Sequence, residues 1–284
     1  CNLDNPDFIG WNSSYDNNPI DTKDMHLWLN ETLDRIKELR PNKVLEIGCG
    51  TGMILGGVGG GISEYIGFDI AEEVIESLKI EVARKNWKHV KLYAGDSIYV
   101  LKQLMEQEEF HGNFDLIIIN SVIQYFPSQA YLEEVLELAS NFLCLKGKIF
   151  LGDLRANATL DLHHFSLAMR DPSLNRAPLA ALLKRALFTK ERETELLLDP
   201  GVVCNMLPSR NPSIWPRLKE FNSDNEISRF RYDIVIQLDN HQIDDHLDVI
   251  VINELQYELH EIEKILLLNP NHDVVINSFF NSRT

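Results

Sequence analysis

The segment VLEIGCGTG, residues 44–52, places glycines where a strand-like run turns into a helix. Glycine lets the backbone fold tightly and approach a ligand closely. A dinucleotide-binding turn has the spacing G-x-G-x-x-G. Gly48 and Gly50 fit that spacing, but residue 53 is methionine and Gly52 comes one residue early. The segment therefore predicts a ligand-binding glycine turn and disfavours a dinucleotide.

Three acidic residues, Glu46, Asp69 and Asp96, lie at the ends of successive strand-like runs. Doubly wound sheets bind ligands at the carboxyl ends of their strands, and a carboxylate about 20 residues beyond the glycine turn holds a ribose diol. Asp69 has that spacing, Asp96 is placed to reach an adenine amino group, and Glu46 can order the turn or face an ammonium. Carboxylates suit a cationic ligand, so the set predicts S-adenosylmethionine.

Each of these carboxylates has an ordinary alternative explanation, as a solvated loop residue or a helix N-cap, and Cys49 is interpreted as a small turn residue. Asn120 and Ser121 end the fourth run, where they lie beside the expected methyl position or form a turn. Residues near the N-terminus are expected to roof the cofactor. The predicted cofactor-binding residues are Tyr15, Met25, Glu46, Gly48, Cys49, Gly50, Asp69, Ile70, Asp96, Ser97 and Asn120.

A parallel sheet is required to position these residues, and the chain alternates between strand-like and helical runs. The strand-like runs are 44–48, 65–70, 90–96, 114–121 and 148–154, with helical stretches such as 71–85 and 129–143 between them. Continuous apolar strands separated by helices predict a parallel sheet covered on both faces. A polar loop, 1–20, precedes a helix that Asp21 or Thr22 can cap and that Pro41 and Asn42 end.

The alternation stops after Asp153, where residues 157–200 become mostly helical before two further strand-like runs, 215–221 and 231–238. Five parallel strands finished by a late hairpin predict an α/β class I methyltransferase fold, Rossmann-like, with a seven-stranded mostly parallel sheet and a helical lid insertion. The C-terminal part carries a helix and a short strand, DVVINSFF. The predicted units are the N-terminal loop and helix, the cofactor-binding core, the lid, the last two core strands and a C-terminal extension: 1–42, 43–156, 157–214, 215–239 and 240–284.

The composition limits the partners. The formal net charge is −16, whereas nucleic-acid binding needs a basic surface, so DNA, RNA and anionic lipid are disfavoured. Four widely spaced cysteines show no zinc spacing and no disulfide framework, which favours a reducing, cytoplasmic compartment and no metal site. No apolar run approaches the roughly 20 residues of a membrane span. The start at Cys1 favours a piece of a longer polypeptide.

Five segments of the chain resemble the methyltransferase domains embedded in polyketide synthases and nonribosomal peptide synthetases. They are GWNSSY (10–15), VLEIGCGTG (44–52), INSVIQYFP (119–127), FLGDLR (150–155) and RFRYDIVI (229–236). GWNSSY and INSVIQYFP are the most specific. The terminal FNSRT (280–284) resembles an element that follows such domains, although Phe280 and Ser282 depart from it. The resemblance covers nearly the whole chain.

This resemblance implies methyl transfer to a chain that phosphopantetheine tethers to an acyl or peptidyl carrier domain, with neighbouring synthase domains as partners. The segment GDLRANATLDLHHFSL (152–167) resembles the O-methylating members, which have a histidine at the position of His164. A hydroxyl acceptor needs a general base. We therefore expect His164 to be that base, Glu195 to orient it, and Gln124 and Tyr125 to line the acceptor side.

Other interpretations stay open at this point. His164 can be a packed lid histidine, and Glu195 belongs to the charged run KERETE, residues 190–195, which can be a solvated helix face. An amine is already partly unprotonated near neutral pH, so N-methylation of a carrier-bound aminoacyl intermediate is an alternative. A catalytically silent domain of a synthase and a freestanding small-molecule methyltransferase are the others.

Overall fold

A seven-stranded sheet forms the centre of the molecule. The computed structural model describes residues 1–207 and 210–238, together with the backbone of residues 250–253 and 274–277. The strands of the sheet are β1 (Lys43–Ile47), β2 (Glu64–Asp69), β3 (Val90–Ala94), β4 (Phe114–Asn120), β5 (Leu143–Arg155), β6 (Pro212–Leu218) and β7 (Arg231–Leu238). Their order is β3-β2-β1-β4-β5-β7-β6. Neighbours among β1–β5 pair in parallel, and β7 is antiparallel to both β5 and β6.

Helices cover both faces of this sheet. They are α1 (Thr22–Glu38), α2 (Met53–Val58), α3 (Glu72–Arg84), α4 (Ser97–Met105), α5 (Gln129–Ser140), α6 (Leu160–Arg170), α7 (Leu179–Lys190), α8 (Pro200–Cys204) and α9 (Glu226–Phe230). One hydrophobic cluster packs α1, α2 and α3 on one face, and the other packs α4 and α5 on the opposite face. Leu45 and Val44, adjacent on β1, point into different clusters, as the two-residue period of a strand requires.

The predicted class I methyltransferase fold is confirmed, because this strand order with one antiparallel strand is the expected mostly parallel sheet. The central strand β4 is buried along its length apart from Asp115, which explains its continuous apolar sequence. The helix predicted from Asp21 is α1, and the Asp21 side chain caps it by accepting from the Lys23 N–H at 2.8 Å.

The sixth strand was predicted over 215–221, but β6 begins three residues earlier. It lies at the sheet edge and pairs with β7 on one side only. Pro212 and Pro216, which lack an N–H, are tolerated in such an edge strand. After Leu218 the chain turns inward, and the Lys219 ammonium is buried 2.7 Å from Asp233. The pairing of Lys219 with Asp233 therefore accounts for the end of β6 at Leu218, and an alternating apolar pattern does not reveal this pairing.

The segment between β5 and β6 is helical, as the sequence predicts, and contains α6, α7 and α8. Only Ala186 of α7 is buried. Beyond the main sheet, β8 (Ile250–Asn253) and β9 (Val274–Asn277) form a parallel pair, and β9 falls within the predicted strand DVVINSFF. The predicted C-terminal helix and FNSRT lie outside the described residues. Within the described ranges no helix is both long enough and apolar enough to cross a bilayer.

Candidate active site

A cavity of about 640 Å³ opens where β1, β2 and β4 end. Ligand sites of doubly wound sheets lie at this edge, and the volume is in the range of small-molecule sites. One end, here the turn end, is lined by residues of the glycine turn and the strand ends: Glu46, Gly48, Cys49, Gly50, Asp69, Ile70, Asp96 and Ser97. The other, the lid end, is lined by Ser14, Gln124, Tyr125, Glu195, Glu226 and Arg231, and Asn120 also lines the cavity.

The glycine turn requires its glycines for two reasons. Gly48, Gly50 and Gly52 have φ values of 75°, 49° and 81°, in the left-handed region that L side chains rarely adopt. A Cβ at Gly48 would collide with the side chain of Val122. A Cβ at Gly50 meets no heavy atom within 4 Å, so the backbone there is open to a ligand.

Asp69 holds this turn in place. Its Oδ2 accepts from the Gly50 N–H at 2.9 Å, and its Oδ1 accepts from the Ala71 N–H at 2.9 Å. A carboxylate has about four lone-pair positions, so acceptor capacity remains for a ligand in the cavity. Asp69 can therefore bind a diol and fix the turn with the same side chain.

Asp96 is a helix N-cap that also faces the cavity, and its contact with adenine stays a prediction. It is the N-cap of α4, with Oδ1 accepting from the Ile98 N–H at 3.1 Å, and it also lines the cavity. The Tyr131 hydroxyl donates to Asp96 Oδ2 at 2.6 Å and lines the cavity as well. Sequence reasoning missed Tyr131, because its contact with Asp96 spans 35 residues and belongs to no local motif.

Glu46 is buried at the floor of the turn end. The Tyr65 hydroxyl donates to its Oε2 at 2.5 Å. Burial, with a smaller contribution from the nearby Asp69 charge, raises the pKa of Glu46 to about 8, although the hydrogen bond from Tyr65 acts to lower it. At neutral pH the carboxyl is therefore largely protonated, and a cationic group that enters the cavity favours its ionisation.

The N-terminal residues differ from the prediction. Met25 is fully buried in the hydrophobic core and does not line the cavity, because α1 directs it against the sheet. Tyr15 also lies outside the cavity lining, with its hydroxyl 3.3 Å from Ser166 Oγ and its ring 4.1 Å from the Arg170 guanidinium. Tyr15 therefore joins the N-terminal segment to the lid. Trp11 and Trp28, whose rings are 4.5 Å apart, line the cavity instead.

Gln124 and Tyr125 line the lid end of the cavity, and their predicted place beside the acceptor stays a prediction. The Gln124 side chain donates to the Ser121 carbonyl at 3.1 Å, and its own carbonyl accepts from the Leu196 N–H at 3.0 Å. This second bond ties the lid segment beside Glu195 to the end of β4. Asn120 Oδ1 is buried and has no hydrogen-bond partner among the residues that the structure describes.

The structure does not bring His164 and Glu195 together. His164 is buried between α6 and α7, with Nδ1 3.0 Å from Thr189 Oγ1 and Nε2 3.4 Å from Glu193 Oε2, and it does not line the cavity. Glu195 lines the cavity and accepts from Arg155 at 2.6 Å. The predicted support of His164 by Glu195 is corrected: Glu193 is the carboxylate beside the histidine, because 193–195 fold back onto Arg155 instead of extending α7.

Asp153 accepts hydrogen bonds from three residues that line the cavity. It is fully buried at φ 65° and accepts from Trp28 Nε1 at 3.3 Å, Ser121 Oγ at 3.0 Å and Arg231 Nη1 at 3.3 Å. All three donors line the cavity. Sequence reasoning gave no role to Asp153 or Arg231, although both lie in segments that carry the resemblance, FLGDLR and RFRYDIVI.

The glycine turn, the strand-end carboxylates and the sheet order define a class I methyltransferase that uses S-adenosylmethionine. The residues fit this cosubstrate, since the turn leaves open space at Gly50 and carboxylates that suit a cationic ligand line the same cavity. A family model described as a methyltransferase domain matches residues 40–197. The chain belongs to this methyltransferase domain family.

Comparison with known proteins adds relatives and a fold match. The chain is 36% identical over 253 residues to a peramine synthetase of Metarhizium rileyi, covering 82% of this chain and 8% of that protein. It is 34% identical over 241 residues to a nonribosomal peptide synthetase of Aspergillus flavus, covering 82% and 3% respectively. It superposes with a TM-score of 0.50 and 13% identity on an S-adenosylmethionine-dependent methyltransferase of Clostridium acetobutylicum, over 78% of this chain and 93% of that one. The chain thus spans less than a tenth of these two relatives.

Proposed function

We propose that this chain methylates the amine nitrogen of an aminoacyl group that a carrier domain of a nonribosomal peptide synthetase presents as a thioester. The names of the relatives support this setting, because they are synthetases of which this chain matches a small part. Such synthetases join amino acids, so their intermediates carry amines. The carrier domain and neighbouring synthase domains are the proposed partners.

The observation that carries the choice of nitrogen is the position of His164. A hydroxyl is a poor nucleophile and needs a positioned general base within hydrogen-bond reach. Both ring nitrogens of His164 face lid residues, and the side chain does not line the cavity. An amine loses its proton near neutral pH and does not need this histidine, so the sequence-based preference for a hydroxyl acceptor loses its base.

The lid end also suits a hydrogen-bond donor. Glu195 and Glu226 line it. An amine or ammonium donates hydrogen bonds, and carboxylate oxygens accept them. At the turn end, Asp69 and Asp96 are the proposed ligands of the ribose diol and the adenine amino group. Cys49, Ile70 and Ser97 complete that surface.

S-adenosylmethionine supplies an electrophilic methyl group on a sulfonium. The protein's own contribution is to fix the acceptor nitrogen near that methyl and to exclude water, which converts a bimolecular encounter into an oriented one. The Leu196–Gln124 and Leu198–Arg155 backbone bonds, of 3.0 and 2.9 Å, fix the lid segment that carries Glu195 against the end of the sheet.

The test uses two acceptors that differ in one atom. Alanyl-pantetheine carries an α-amine and lactyl-pantetheine an α-hydroxyl on otherwise matched thioesters. Incubated with S-adenosylmethionine and this chain, the alanyl thioester is expected to gain 14 mass units on nitrogen, because one methyl replaces one hydrogen; the lactyl thioester stays unchanged. Methylation of lactyl alone would restore the hydroxyl acceptor, and methylation of neither would favour a silent domain.

A further inference from the structure

Glu226 is a buried carboxylate at the lid end whose place in the reaction the established fold does not assign. It lies at the start of α9, is 6% exposed and lines the cavity. Buried carboxylates are costly unless they are hydrogen-bonded or paired. The hydrogen-bond partners of Glu226 therefore show how its buried carboxylate is stabilised.

Ser14 supplies those partners from 212 residues away in the chain. Its backbone N–H donates to Glu226 Oε2 at 2.9 Å, and its hydroxyl donates to Oε1 at 3.0 Å. Ser14 belongs to GWNSSY, one of the two most specific segments of the chain. Each carboxylate oxygen is thus held by one donor and keeps a lone pair for a further donor in the cavity.

Glu195, the other carboxylate of the lid end, is engaged differently. Arg155 donates to it at 2.6 Å, and Arg231 lies 4.0 Å away. Glu195 is therefore paired with two cationic guanidinium groups. Within the part of the chain that the structure describes, the donors at hydrogen-bond distance from Glu226 are two neutral groups of Ser14, and the charges of Arg231 on β7 and Arg155 on β5 act from farther away.

Building on the proposed function, we propose that Glu226 binds the amine of the aminoacyl acceptor and accepts its proton, and that Ser14 holds Glu226 in position for this role. The ammonium transfers one proton to the carboxylate, which leaves a neutral amine and a neutral carboxylic acid. The nitrogen lone pair then forms the N–C bond as the S–C electron pair returns to sulfur. The products are an N-methylammonium and S-adenosylhomocysteine, and the proton on Glu226 leaves to solvent.

The electrostatics of the site agree with a proton acceptor. Burial raises the pKa of Glu226, and the hydrogen bonds from Ser14 and the charges of Arg231 and Arg155 offset only part of that rise. A carboxylate with a raised pKa is a better base than an exposed one. The pKa of Glu226 is therefore expected to set the acid limb of the pH–rate profile. At lower pH the free protein carries a protonated Glu226, which cannot accept a proton from the acceptor amine.

The experiment measures kcat and KM for alanyl-pantetheine against pH, together with S-adenosylmethionine affinity and melting temperature, for the full chain. Glu226→Gln is expected to lower kcat by about 10²- to 10⁴-fold, the usual contribution of a positioned base. Cofactor affinity is expected to stay within twofold, because Glu226 lies at the opposite end of the cavity from Asp69. Glu134→Gln, the same change on the exposed surface of α5, is the matched control.

Ser14→Ala gives an independent readout if Glu226→Gln fails to fold. It removes a hydrogen bond that lowers the pKa of Glu226, so the acid limb is expected to move to higher pH while cofactor affinity is kept. A wild-type chain that does not methylate alanyl-pantetheine overturns the proposed function itself. If the wild-type chain does methylate alanyl-pantetheine, two results would overturn only the role of Glu226. One is an acid limb that does not move in Ser14→Ala, and the other is a near-normal kcat in folded Glu226→Gln.

Discussion

The turn end and the lid end of the cavity are built in different ways. At the turn end, Gly50, Asp69 and Asp96 come from the ends of adjacent parallel strands, and backbone hydrogen bonds hold the two carboxylates. At the lid end, Ser14 and Glu226 meet across 212 residues and depend on tertiary packing. We therefore expect a substitution at the lid end to change which acceptor is methylated without disturbing the cofactor site. A substitution at the turn end is expected to disturb cofactor binding itself.

The largest effect is expected from Gly50→Val. The side chain would enter open cavity space and force a branched residue to φ 49°, so cofactor binding should be lost. Gly61→Val is the matched control, since Gly61 also has open space around its Cβ but no positive φ. Calorimetry with S-adenosylhomocysteine measures both; normal binding by Gly50→Val would contradict the role of the turn.

Asp69→Ala comes next. The two charge-assisted hydrogen bonds that we propose between Asp69 and the ribose would contribute about 1.5–3 kcal/mol each, so affinity should fall by roughly 10²-fold or more. Asp115 is a fitting control, because it also accepts from two backbone N–H groups, of Asn42 and Lys43, but at the opposite end of the sheet. Asp115→Ala should lower the melting temperature and keep the affinity. Equal losses in both variants would mean that Asp69 acts only on the backbone.

Glu46→Gln tests the buried carboxyl of the turn end. Its pKa of about 8 in the free protein lies above the ordinary value of 4.5, so the stability linked to the protonated form is present below about 4.5 and is lost as pH rises through about 8. Removing this ionisation should raise the melting temperature at pH 8 by a few degrees, on the order of 2–4 °C per kcal/mol. In the wild type, cofactor affinity should increase between pH 6 and 8 with proton release, and calorimetry in two buffers should show this release absent from the variant.

The smallest effect on turnover is expected from His164→Ala. The histidine packs between α6 and α7, so its loss should destabilise the fold by about 1–3 kcal/mol and leave kcat for alanyl-pantetheine within about twofold. Melting temperature and turnover are measured on the same preparation. A 10²-fold loss of kcat with unchanged stability would return the histidine to the reaction.

These regions also differ in how far the sequence could predict them. At the turn end, the sequence pointed to the glycine turn and to the carboxylates at the strand ends, because both follow from a local motif and the sheet topology, but it missed Tyr131 beside Asp96. The lid end was predicted only in part. Whether Glu193 or Glu195 faces His164 depends on where 193–195 fold back onto Arg155, and Met25 and Tyr15 depend on the packing of α1 and α6. None of these contacts has a local period or spacing.

The central claim is that the lid end selects nitrogen, and one substrate tests it without comparing two rates. Seryl-pantetheine presents an amine and a hydroxyl on the same thioester. Incubated with S-adenosylmethionine and this chain, then fragmented in a mass spectrometer, it should carry the new methyl on nitrogen, because Glu226 and Glu195 line the cavity as the proposed acceptors for an amine and His164 lies outside it. A methyl found on the seryl oxygen would contradict the account.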